Sequence, residues 1–67
     1  MNTIKNLALK IYTELNLNDS LFFDDMEINR QSLYVSIAQL INANETNGII
    51  KFKTKKEGTG FRIFRVL

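Results

Sequence analysis

Four hydrogen-bonding side chains stand in a row at Asn29-Arg30-Gln31-Ser32, and behind them the chain turns apolar at Leu33, Ile37 and Leu40. Amides, a guanidinium fork and a hydroxyl can cap a helix or make directional hydrogen bonds to a partner. The row alone leaves both uses open. A second concentration of chemistry lies further on, where Lys51, Lys53, Lys55, Lys56, Arg62 and Arg65 crowd residues 49–67 against the single acid Glu57. Residues 1–48 show the opposite balance, with three cationic side chains and six acidic ones, so the two stretches carry net charges of −3 and +5. Such asymmetry points to an anionic partner at the basic end. A solvated edge hairpin that uses lysine to deter strand addition would show the same composition.

Other chemistries have little to work with. The 67 residues include no His and no Cys, which removes the commonest general base, the thiol nucleophile and the usual metal ligands. Asp24-Asp25 has no second carboxylate cluster to complete an acid–base or metal site. Gly58-x-Gly60 sits between two strand-like runs with no helix after it, so it is a hairpin loop and not a dinucleotide fingerprint. The chain is expected not to be an enzyme, and no cofactor or metal is expected. No apolar run is long enough to span a membrane and no signal-peptide core opens the sequence, so a cytoplasmic protein is expected.

Periodicity supplies the elements that must position these residues. Ile4, Leu7, Ala8, Ile11 and Leu15 keep helical spacing, which predicts a first helix with Thr3 as its N-cap and Asn16, Asn18 and Asp19 at its end. Residues 20–28 are ambiguous. They fit a short strand or a two-turn helix capped by Asp19 or Ser20 that buries Leu21, Phe22 and Met26, and the helix is the favoured choice. Asn29 caps a further amphipathic helix from about Arg30 to Ala43, and Gly48 is its expected stop.

From Ile50 on, apolar and basic residues alternate, predicting a β-hairpin whose loop is Lys56 to Gly60. Phe64 breaks the alternation of the return strand. A β-bulge near Ile63-Phe64 would return Phe64 and Val66 to the core and leave Arg65 outside. Without a bulge, Phe64 is an exposed aromatic on a basic ribbon, a residue type suited to stacking on bases. The bulge is the expected solution, because so small a domain needs its aromatics buried.

The order of helix, short element, helix, turn and basic hairpin resembles the winged helix-turn-helix family over residues 20–67, with the first helix in the usual supporting place. Ile28 and Asn29 match the apolar residue and polar cap before that family's second motif helix. Arg30, Gln31 and Ser32 match its exposed front, Leu33, Ile37 and Leu40 its docking face, and Gly48-Ile49-Ile50 the turn into the wing. The implied fold is α+β, a small winged helix of three helices followed by a C-terminal β-hairpin, in one domain spanning residues 1–67.

The resemblance implies a small DNA-binding protein, a transcriptional regulator of the phage or mobile-element kind. Its third helix would enter the major groove, with Arg30 on guanine, Gln31 on adenine, and Ser32 or Tyr34 on a phosphate or base edge. Lys51, Lys53, Lys55, Lys56 and Arg62 of the wing would lie on phosphates, and the acidic residues of the first half would face away from the DNA. Double-stranded DNA is the expected partner, with a homodimer or partner protein supplying added contact area. The plainer alternative has Asn29 capping, Arg30 paired with Asp25 or Glu27, and Gln31 and Ser32 merely solvated. Two further readings stand beside it: an interaction protein of the anti-defence type that blocks a host protein, and a single-stranded nucleic-acid binder using Phe52, Phe61 and Phe64.

Overall fold

A computed structural model describes residues 3–67 and orders them as α1 (Thr3–Glu14), β1 (Ser20–Asp24), α2 (Arg30–Ala43), β2 (Phe52–Glu57) and β3 (Gly60–Arg65). The predicted stripe of α1 faces inward, with Ala8, Ile11 and Leu15 buried and Ile4 and Leu7 half-buried. Thr3 is already helical, so it is not the N-cap that its hydroxyl suggested. The helix ends as its turn-forming residues suggest: Asn18 takes a left-handed φ of 71°, and the Asp19 carboxylate accepts from the Asn16 N–H at 3.3 Å. The Arg65 guanidinium reaches back to donate to the Leu15 carbonyl at 3.0 Å, satisfying a helix-terminal acceptor.

The fold has two helices and a three-stranded antiparallel sheet in the order β1-β3-β2, not three helices. Residues 20–24, expected as part of a short helix, are a strand paired with β3. Its inner side chains explain the outcome: Leu21 lies opposite Ile63, and Phe23 lies opposite Phe61 with ring centroids 5.7 Å apart. A two-stranded hairpin is marginal by itself, and this third strand completes a sheet able to carry a core. The helix would have buried Met26, which is 95% exposed instead.

Between β1 and α2 the Asp24 carbonyl accepts from the N–H groups of Glu27 and Ile28, both at 3.0 Å, one helical turn that goes no further. The side chain of Asp24 tightens the same turn by accepting from the Met26 N–H at 2.9 Å. No bihelical unit therefore precedes the hairpin among the described residues.

Both helices cover one face of the sheet, where Ala8, Ile11, Leu15, Leu33, Ile37, Phe52, Phe61 and Ile63 form the core. The hairpin is tighter than the predicted five-residue loop, since Glu57 pairs with Gly60 across a two-residue turn of Gly58 and Thr59. Gly58 supplies the positive φ of 56° at the first turn position. The expected bulge is absent, and β3 pairs in unbroken register with both neighbours. Phe64 therefore faces outward on the solvent side of the sheet, and Arg65, expected outside, falls on the helix-bearing side and is partly buried.

Gly48 is not the stop of α2. The helix ends one turn earlier, where the Thr46 N–H donates to the Ile41 carbonyl at 3.0 Å and the Glu45 N–H to the Asn42 carbonyl at 3.2 Å. That is the Schellman pattern, with Glu45 at φ 55° in the left-handed position that glycine favours. Glu45→Gly is expected to raise stability by about 1 kcal/mol, because it removes the left-handed penalty of a side chain. Urea unfolding followed by circular dichroism measures it, and a loss of stability would contradict the assignment. The loop that follows is pinned to α1 by the Tyr12 hydroxyl, 2.9 Å from the Thr46 hydroxyl oxygen.

Candidate nucleic-acid interface

The cap of α2 forms as its sequence suggests. Asn29 has extended backbone angles, and its Oδ1 accepts from the Ser32 N–H at 2.9 Å. Such a cap stabilises a helix by about 1 kcal/mol and here fixes where the front of α2 begins. Leu33 and Ile37 anchor the helix in the core, with Ile28 and Leu40 packed alongside. Arg30, Gln31, Ser32 and Tyr34 are all left exposed. Arg30 forms no ion pair with Asp25 or Glu27 among the described residues.

The four do not share one face. Arg30, Gln31 and Tyr34 line a shallow open depression together with Thr54 of β2. Ser32 lies on the other flank, with Asn29, Val35, Ser36, Gln39 and Lys5 of α1 around it. The outward ridge between the flanks carries Gln31, Val35 and Gln39. Val35, 46% exposed, and Gln39 are surface residues the sequence reading passed over, as is Thr54. Helical phasing contained the signal for the first two, since each follows Gln31 at a multiple of four residues. Thr54 needed the tertiary structure. Nothing acidic lies between Glu27 and Glu45, so α2 presents a neutral, hydrogen-bonding surface with one cation at its front.

The basic hairpin divides into two groups. Lys53 and Lys55 point to the outer face of the sheet, opposite Phe64 and Arg62 respectively, so the lysines and Arg62 do form a patch. Lys51, Lys53 and Lys55 make no ion pair among the described residues. The remaining cations already have partners. Lys56 pairs with Asp25, and Arg65 donates to the backbone at Leu15 and Leu67. Arg62 grips Glu57 with two nitrogens, at 3.0 and 3.2 Å, and donates to the Ser20 hydroxyl at 3.1 Å. Its hydrogen bonds hold the Glu57 carboxyl below the ordinary carboxylate range, while the same partner raises Arg62.

The acidic turn is not set apart from this surface. Because β1 runs antiparallel to β3, its C-terminal end arrives at the hairpin tip, and the Asp25 N–H donates to the Thr59 carbonyl at 3.2 Å. Asp24 and Asp25 thus sit beside the tip and neutralise it, leaving the open positive charge towards the middle and start of β2.

Among the described residues no helix is long and apolar enough to cross a membrane, and no group of three or more His, Cys, Asp or Glu is placed to hold a metal. Comparison with protein-family models, curated proteins and solved structures finds no match to this chain.

Proposed function

We propose that this chain is a small cytoplasmic protein that binds double-stranded DNA, with the front of α2 in the major groove and the lysines of β2 on the phosphate backbone. The observation that carries the reading is the depression shared by Arg30, Gln31, Tyr34 and Thr54. It joins the helix front to the inner face of β2 at Thr54, and Lys53 and Lys55, on the outer face of the same edge strand, would reach phosphates around that edge. The residue types suit the two halves of the task. A guanidinium and an amide can each make paired hydrogen bonds to a purine, and exposed Val35 can meet a thymine methyl. Lysines on an edge strand meet phosphates whatever the sequence. The likeness of residues 28–50 to the second motif helix and following turn of winged helix-turn-helix proteins supports the same assignment, as does the wing-like hairpin. A regulator of transcription is the role such a surface serves.

On this side of the molecule the cations without an ion pair among the described residues are Arg30, Lys51, Lys53 and Lys55. Four phosphate contacts give a plot of log affinity against log salt with a slope of about −3.6 on duplex DNA. Fluorescence anisotropy with a random-sequence duplex across a salt series measures it. Glu57→Gln frees Arg62 from its bidentate grip, and the slope is expected to steepen by about 1 as that guanidinium reaches a phosphate. Affinity that ignores salt, or no binding at the lowest salt, would overturn the proposal.

A further inference from the structure

The face of the sheet turned away from the helices has a composition of its own. Register sets it out as three cross-strand rows: Ser20, Phe64 and Lys53; Phe22, Arg62 and Lys55; Asp24, Gly60 and Glu57. The molecule is a slab 17 Å through its short axis, one helix layer on one sheet, so nothing among the described residues covers these rows. Antiparallel sheets ordinarily turn polar residues to water on such a face. Here two phenylalanines stand among cations. Phe22 is 43% exposed with the Arg62 guanidinium 5.9 Å from its ring centre, and Phe64 is half-buried beside Lys53.

The spacing has a direct chemical reading. Phe22 and Phe64 are diagonal neighbours on paired strands, roughly 7–8 Å apart at the backbone. Lys53 and Lys55 follow the same direction along β2 at roughly 7 Å. Two flat apolar rings beside a row of two unpaired ammonium groups match a ligand that alternates π faces with negative charges. A duplex hides its base faces in its own stack, whereas an unpaired strand offers them. Phe52 and Phe61, two of the three aromatics the sequence suggested for this task, are buried in the core and unavailable, and Phe22 was not among them.

We propose that the outer sheet face binds single-stranded nucleic acid, with successive bases stacked on Phe22 and Phe64 and the adjoining phosphates on Lys53 and Lys55. This goes beyond the duplex reading: Lys53 and Lys55 are common to both, but the two rings lie on the sheet face opposite α2 and belong to the single-strand reading alone.

The test is an anisotropy titration of fluorescein-labelled dodecathymidylate and of a 12-base-pair duplex. The proteins compared are the parent, Phe22→Leu, Phe64→Leu and the double variant, with folding checked by circular dichroism. Leucine keeps apolar bulk and removes the π face, and if one variant fails to fold the other carries the test. Each single change is expected to weaken oligothymidylate binding about fivefold or more, with duplex affinity held within about twofold. The proposal is overturned if the parent does not bind the oligonucleotide at low salt, or if the leucine variants bind it as the parent does. It is overturned equally if both ligands are lost in parallel, which would make the face a duplex contact. A polyglutamate peptide that competes for the face and shows the same dependence on the two rings would assign it to an acidic protein instead.

Discussion

Replacing Lys53 and Lys55 together by glutamate is expected to lower the proposed affinity for duplex DNA by on the order of a hundredfold or more at low salt. Two phosphate contacts disappear and two repulsive charges take their place. The fold is expected to survive, with stability changed by no more than about 0.5 kcal/mol, since both side chains are exposed and carry no ion pair among the described residues. Net charge alone would make any lysine of the hairpin equivalent, and the structure says otherwise. Lys56 is engaged by Asp25 beside the hairpin tip, so Lys56→Gln should change affinity by less than about threefold. Anisotropy titrations of both variants against one duplex separate the two views. Equal losses would mean that diffuse charge, and not the placement of β2, drives binding.

The largest effect on stability is expected at Gly60. This residue pairs with Asp24 on one side and Glu57 on the other, in the central strand of the sheet. A Cβ built there would sit 2.0 Å from the carbonyl oxygen of Phe23 and 2.9 Å from its carbonyl carbon. The Phe22 ring closes the third side, 2.8 Å away. Backbone atoms of a paired strand cannot step aside, so Gly60→Ala must part β1 from β3 and undo the contacts of Phe23 and Leu21 with them. A chain of this size is stable by roughly 3–10 kcal/mol at the usual 0.05–0.15 kcal/mol per residue. A loss of about 3 kcal/mol or more would leave much of the population unfolded at room temperature. Gly58→Ala is the matched control. A Cβ there meets nothing within 4 Å, and only the left-handed φ is penalised, at about 1 kcal/mol. Urea unfolding of the two variants should rank them clearly, and a Gly60→Ala as mild as Gly58→Ala would contradict the packing described.

Much of this arrangement was legible in the residues. Helical spacing marked Ala8, Ile11, Leu33 and Ile37 as core, the polar run marked Asn29 as a cap, and alternation marked both strands of the hairpin. One short segment was not legible, and the other corrections to the sheet follow from it. Five residues from Ser20 to Asp24 are too few for periodicity to distinguish strand from helix, and the partner that decides, β3, lies some forty residues further along the chain. With β1 in place, β3 becomes the central strand. A bulge there would disrupt two ladders at once, whereas bulges are favoured at sheet edges, so the register stays regular and Phe64 turns outward. The same pairing carries Asp24 and Asp25 to the hairpin tip, where sequence distance gave no reason to put them beside Lys56. The size of the open basic patch was overstated for the same reason. Which cations are already engaged is a tertiary property that no count of lysines contains.

The proposal to be tested is that the front of α2 and the lysines of the edge strand β2 contact the same DNA duplex. An amide-resolved NMR titration of the 15N-labelled chain with a random-sequence duplex at low salt tests it most directly. Progressive shifts are expected at Arg30 to Val35 and at Lys53 to Lys55, with α1 unmoved. Shifts confined to α1 and β1, or none at all, would contradict it.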